Sequence, residues 1–242
     1  MGNPSGATTN LANADNYLIV RPQYALSYNR DKEIPNWASW QLNQDWLGAL
    51  PRGSFIPDTS LPRGWYQVTP QDYTGSGFDR GHLVPAADRN KTTEDSQAVF
   101  LMTNILPQAP DNNRGPWEKL ERHCRELVSQ GKELYIIAGG VGSGGVGERQ
   151  RMKAIDHGQI AVPAVTWKAI VVLEHPGMGL PGITESTPVI AVIIPNRQGI
   201  KEQEWQTFRT SVDAIEQLTG YDLLSNVPRP IQDVIEARVD RP

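Results

Sequence analysis

The run Asp79-Arg80-Gly81-His82, followed by Asn104-Ile105-Leu106-Pro107-Gln108 and by Asn113-Arg114-Gly115-Pro116-Trp117-Glu118-Lys119-Leu120-Glu121, gathers a histidine, amide oxygens, carboxylates and guanidinium groups. Water at neutral pH is a poor nucleophile, and a neutral imidazole with a pKa of about 6.5 can take its proton. A hard divalent cation such as Mg²⁺ prefers oxygen ligands and keeps several waters, so the carbonyl of one asparagine, Asn113, suffices as its anchor. Arg80 can hold a phosphate oxygen bidentately, and Gly81 lets the backbone approach a neighbour closely. These are parts suited to cutting phosphodiesters.

Each residue alone has a plainer reading. Asn113 suits a helix N-cap, with Pro116 in the first turn and Gly131 as the stop. Glu121 and Arg125, at i and i+4, suit a solvated ion pair of small value. A lone histidine is more often structural than catalytic, so His82 gains its meaning from its company. The spacing predicts a helix over 113–130 in which Trp117, Leu120, Cys124, Leu127 and Val128 form one apolar stripe, bordered by Asn113, Glu121 and Arg125. Cys124 is the only cysteine, and its place in that stripe makes it a buried, inert thiol.

The elements that must position these groups are mostly strands. Tyr17–Val20, Gln23–Asn29, Trp37–Leu42, Leu134–Ala138, Val165–Leu173 and Pro188–Ile194 read as strands, the last three as buried ones. Further helices are expected near 203–219 and over 230–238, with a long Pro- and Gly-punctuated loop from 51 to 70. Strands outnumber helices and do not alternate with them, so the class is α+β with a mainly antiparallel central sheet flanked by helices. Residues 1–16, rich in Asn, Gly, Ser and Thr, read as a flexible tail before a single domain over 17–242.

Composition narrows the function. A hydrophobic content of 38% with seven Trp supplies a core without disulfides. No run approaches the roughly 18–20 apolar residues that cross a bilayer, so no membrane partner is expected. A net charge of −4 argues against a wholesale nucleic-acid coat, because duplex binding is largely counterion release. Between Arg114 and Arg125, however, Arg114, Lys119, Arg122 and Arg125 outnumber Glu118 and Glu121, which suggests a locally positive cleft where Arg114 and Arg125 meet phosphates.

Asp79-Arg80-Gly81-His82, Met102-Thr103-Asn104, Pro107-Gln108 and Asn113 through Glu121 together resemble the DNA/RNA non-specific endonucleases with the DRGH motif, a ββα-metal group. The likeness runs from Gly2-Asn3-Pro4-Ser5-Gly6-Ala7-Thr8 to Leu218–Asp222 and Leu224–Val227. The resemblance implies that His82 is the general base and Asn113 the direct ligand of a hydrated Mg²⁺ or Mn²⁺. It implies that Glu121 holds metal-bound water, that Arg80 is an active-site arginine, that Arg125 binds substrate, and that Asp79, Asn104 and Gln108 support the site. Arg52 matches a transition-state arginine by loop position, the chain there being one residue shorter than the family pattern. It further implies DNA and RNA substrates, 5′-phosphorylated products with metal-bound water protonating the leaving 3′ oxygen, a monomer, and a polypeptide inhibitor as a possible partner class. Export to the extracellular space or periplasm is expected, since such an enzyme endangers its own genome.

Other readings are weaker. A non-catalytic nucleic-acid-binding module on the same scaffold is opposed by intact His82 and Asn113. A serine-type hydrolase lacks a G-x-S-x-G elbow. Gly142-Ser143-Gly144-Gly145-Val146-Gly147 matches a dinucleotide fingerprint after a strand, but no apolar helix follows, so a hairpin loop is expected. His123, His157 and His175 show no zinc-ligand spacing. Trp37, Trp40, Trp46 and Trp65 could stack bases, though core packing is the better expectation.

Overall fold

The computed structural model describes residues 1–240. In chain order its strands are β1 (Tyr17–Val20), β2 (Ala25–Asn29), β3 (Ile34–Leu42), β4 (Asp79–His82), β5 (Ile105–Gln108), β6 (Glu133–Val141), β7 (Gly145–Val146), β8 (Arg151–Met152), β9 (Ala154–Ile155), β10 (Ile160–Ala161), β11 (Val165–Leu173), β12 (Val189–Pro195) and β13 (Arg209–Thr210). The helices are α1 (Thr93–Val99), the short α2 (Pro110–Asn112), α3 (Glu118–Ser129), α4 (Val212–Thr219) and α5 (Arg229–Ile235). Seven strands form one sheet in the order β1-β2-β3-β6-β11-β12-β13, with every neighbour antiparallel.

Because side chains alternate along a strand and this sheet is covered on both sides, its central strands are apolar on both faces. On β11, Trp167, Ala169, Val171 and Leu173 join a core with Val212 and Ile215 of α4 and Ile235 of α5. Ile170 and Val172 join the opposite core with Ala38, Trp40 and Leu42 of β3 and with Leu120, Cys124 and Val128 of α3. The stripe expected on the 113–130 helix is the face that packs there. Lys168 points to the same side as Ile170, and is 1% exposed.

Three expectations need correction. Residues 1–16 are docked, not loose: Ala7 and Ala14 are buried, Ser5 Oγ accepts from Trp37 Nε1 at 2.8 Å, and the Met1 carbonyl accepts from Asn226 N. Short polar side chains here satisfy backbone groups, a use that composition cannot tell from disorder. Asn113 is not an N-cap, for its φ and ψ of −60° and −43° are helical. The chain makes a wide, kinked turn over Asn113–Trp117 before α3 begins, because Pro116 lacks an N–H and Gly115 lies so close to Lys201 that a Cβ would clash. The helix expected near 203–219 is split, with the turn Trp205–Phe208 and β13 preceding α4. The glycine-rich run 142–147 is a hairpin, since Gly145–Val146 pairs with Arg151–Met152 and no helix follows.

Candidate active site

The Asp79–Gln108 register pairs β4 with β5, setting Gly81 opposite Leu106 and His82 opposite Ile105. A side chain at Gly81 would collide with Gln108. Beyond His82 the chain is stapled by Asn104, whose Oδ1 accepts from Val84 N at 3.0 Å and whose Nδ2 donates to the carbonyls of Val84 and Val99 at 3.0 and 2.9 Å. Gln108 is buried but neither end of its amide has a protein partner, so it touches the site by packing alone. The rings of Phe55 and Phe100 lie 5.1 and 5.0 Å from the His82 ring. Phe55 and Arg52 share the loop before β4, which is pinned where Ile56 bridges Leu101 and where Asp58 accepts from Arg21 and Thr103 at 2.6 and 2.7 Å.

His82, Arg52, Asn113, Arg114, Glu118, Glu121 and Arg125 line one cleft of about 380 Å³. A second hollow of similar size adjoins it, sharing Arg52, Asn113 and Arg114 and adding Phe55, Asp79 and Arg80. The strand pair followed by α3 is what turns these distant sequence positions toward a common space.

Burial, aided by the Arg52 charge, pulls His82 down to about 3, which keeps the imidazole neutral. Its Nε2 is sealed without a partner, and Nδ1 is the other nitrogen of the ring. Burial pushes the Glu121 carboxyl up to about 7, with Lys168 and Arg125 opposing the shift and Asp88 adding to it. Glu121 is therefore no solvated surface pair. Its nearest cation is Lys168 Nζ, 3.9 Å from Oε1, while Arg125 donates to Asp88 at 3.1 Å.

The chain matches the model of the DNA/RNA non-specific endonuclease family over residues 1–230. The chain belongs to that family. It is 56% identical over 241 residues to a nuclease of Nostoc sp., covering 99% of this chain and 85% of the relative. A mitochondrial nuclease of Schizosaccharomyces pombe is 31% identical over 220 residues, covering 87% of this chain and 66% of its own length. The mouse mitochondrial nuclease EXOG is 29% identical over 205 residues; this chain covers only 54% of that longer protein. The fold recurs in a chain of the crystal structure of the EndoG/EndoGI complex, with a TM-score of 0.73, 22% identity and coverage of 88% and 87% of the two chains. The architecture is thus the ββα-metal fold, and the protein is a DNA/RNA endonuclease of the hydrolase class.

The family is metal-dependent, and the residues of this endonuclease fit a hard cation. Asn113 Nδ2 donates to Asp79 Oδ2 at 2.8 Å. A carboxylate can only accept, which fixes the amide so that Oδ1, the oxygen a hard ion prefers, is left without a protein donor among the described residues. Glu121 on the same cleft supplies a second hard oxygen group.

The basic run from Arg114 to Arg125 is not the free cationic patch its composition suggests. Arg114 spends Nε and Nη2 on Asp79 at 2.8 and 2.5 Å, Lys119 reaches Glu204, Arg122 faces Glu118 and Arg125 meets Asp88. Arg52 and Arg80 are the cations at the cleft with no ion-pair partner among the described residues. Both lie against the Phe55 ring, at 5.9 and 5.2 Å. Sequence reasoning missed Phe55, Phe100, Asp88 and Lys168. Only Lys168 carried a signal, as a lone charge within an otherwise apolar buried strand.

Proposed function

We propose that this endonuclease hydrolyses DNA and RNA with His82 as the general base and Asn113 as the direct ligand of a hydrated Mg²⁺ or Mn²⁺. His82 takes a proton from the attacking water through Nδ1, since Nε2 is sealed away from the cleft without a partner. Water oxygen bonds to phosphorus, the bond to the 3′ oxygen breaks as that oxygen takes a proton from a second water in the cleft, and the new phosphate stays on the 5′ side. When bound, the divalent ion relieves charge on the phosphate and on the departing oxygen. Glu121 orients water in the cleft, and Arg52 and Arg80 meet the non-bridging oxygens. Arg125 and the remaining edge of Arg114 grip flanking phosphate. Asp79 holds Asn113 and Arg114 in place, while Asn104 and Gln108 shape the turn that carries His82.

The observation that carries this reading is that a neutral histidine and an oriented amide line one cleft with the unpaired Arg52, while the unpaired Arg80 lines the adjoining hollow. Such groups address phosphate and sugar, not base edges, which supports acceptance of any sequence. Residues 17–242, with the docked opening segment, act as one nuclease domain in a monomer. Export protects the producing cell's genome, and a polypeptide inhibitor that caps the cleft is a natural partner. Plasmid DNA and RNA should be digested to 5′-phosphate ends, stop being cut after metal removal with EDTA, and be cut again on adding Mg²⁺ or Mn²⁺. Cleavage that continues in EDTA, or 3′-phosphate products, would overturn the assignment.

A further inference from the structure

We propose that Lys168 is a positioning residue for the nuclease reaction, its buried ammonium fixing the Glu121 carboxylate at the cleft. The proposal rests on the reading of Glu121 as a holder of metal-bound water. Lys168 sits at the middle of β11, paired with Ala138 on β6 and Val192 on β12, so its backbone is among the most constrained in the molecule. Its ammonium lies 4.0 Å from the Trp117 ring centroid and 5.7 Å from that of Trp40, a seat that suits a cation over aromatic faces. Glu121, at 3.9 Å, is its only carboxylate partner within ion-pair distance among the described residues.

That distance matters. It is too long for a hydrogen bond, so Lys168 attracts the carboxylate without occupying its oxygens. Glu121 makes no side-chain hydrogen bond to protein among the described residues, which leaves both oxygens for water. The other cation near Glu121, Arg125, is engaged by Asp88, whose second oxygen accepts from Trp40 Nε1. Trp40, Asp88, Arg125, Glu121 and Lys168 thus form a ring of groups from four parts of the chain, with the lysine on its most rigid member. A buried ammonium is costly to keep unless its charge is used. Residues one step behind metal ligands commonly tune affinity by orienting what touches the ion.

The test compares metal binding with stability. The metal-free wild type, Lys168→Met, Glu121→Gln and the double variant are titrated with Mn²⁺ by calorimetry or electron paramagnetic resonance, with circular dichroism and melting as checks of fold. Lys168→Met should bind Mn²⁺ about 10–100-fold more weakly, and the double variant should lose no more than Glu121→Gln alone. Wild-type Mn²⁺ affinity in Lys168→Met, beside a loss in Glu121→Gln, overturns the lysine's role and leaves the reading of Glu121 intact. Normal binding in Glu121→Gln removes that reading, and the inference with it. If Lys168→Met does not fold, Lys168→Arg, which keeps the charge but moves it, carries the same titration, and unchanged affinity there overturns the proposal.

Discussion

Two carboxylates in this molecule, the partly buried Glu121 and the buried Glu236, have been driven in the same direction by the same cause and yet have opposite surroundings. Burial raises Glu121 to about 7 and Glu236 to about 8. Glu121 opens onto a cleft and faces Lys168 and Arg125, which favour its ionised form. Glu236 lies with Asp213 and Glu216, their oxygens within 4.8 Å of one another. It accepts from Gln232 at 3.0 Å, and the neighbouring acids push its proton affinity higher. No lysine or arginine pairs with these three among the described residues. A raised carboxyl by itself therefore does not mark a site. The cleft and its cations do, because they indicate where negative charge is held for use and where a proton merely relieves repulsion.

His82→Ala should leave a folded protein whose kcat/KM on plasmid DNA falls by about 10²–10⁴; wild-type digestion would remove the base from the mechanism. Asn113→Ala should abolish cleavage or sharply raise the Mg²⁺ requirement, with a melting temperature near wild type. A purely structural role for the Asn113–Asp79 hydrogen bond predicts instead a lower melting temperature with normal turnover, so measuring melting beside activity separates the two. Asp88→Asn, which weakens the hold on Arg125, should cost roughly 1.5–3 kcal/mol of stability and raise KM for DNA more than it lowers kcat. Equal stability and unchanged KM would detach that pair from substrate binding.

The smallest effect is expected at Glu236. Its folded pKa lies above the unfolded carboxylate value, so the stability it contributes is complete below that unfolded value and is lost as pH rises through about 8. Glu236→Gln should therefore match wild type near pH 4 and melt higher near pH 8.5, by about 2–4 °C for each kcal/mol recovered. Nuclease activity should not change. A drop in activity would show that the acidic cluster and the cleft are coupled.

Much of this architecture was legible in the chain. Tyr17–Val20 and Val165–Leu173 have the expected bounds, because apolar runs between turn signals leave little choice of register. The stripe Trp117, Leu120, Cys124, Val128 is buried as its spacing requires, and burial raises the Cys124 thiol to about 12, in keeping with an inert role. Trp37 and Trp40 are core residues. What failed was local inference about polar side chains. Asn, Ser and Thr in the opening segment, and Arg114 to Arg125, take their meaning from partners far away in sequence, such as Trp37 for Ser5 and Asp79 for Arg114.

The sequence by itself determined the strand-rich class and the residue types for phosphodiester hydrolysis, since periodicity and chemical identity are properties of the chain. Tertiary structure alone decided that Asn113 turns its amide to Asp79, that Arg52 lies beside His82, and that Lys168 stands under Glu121. The physical reason is that a polar group's charge state and direction are set by whatever the fold brings within a few ångströms of it, and spacing along the chain does not encode that.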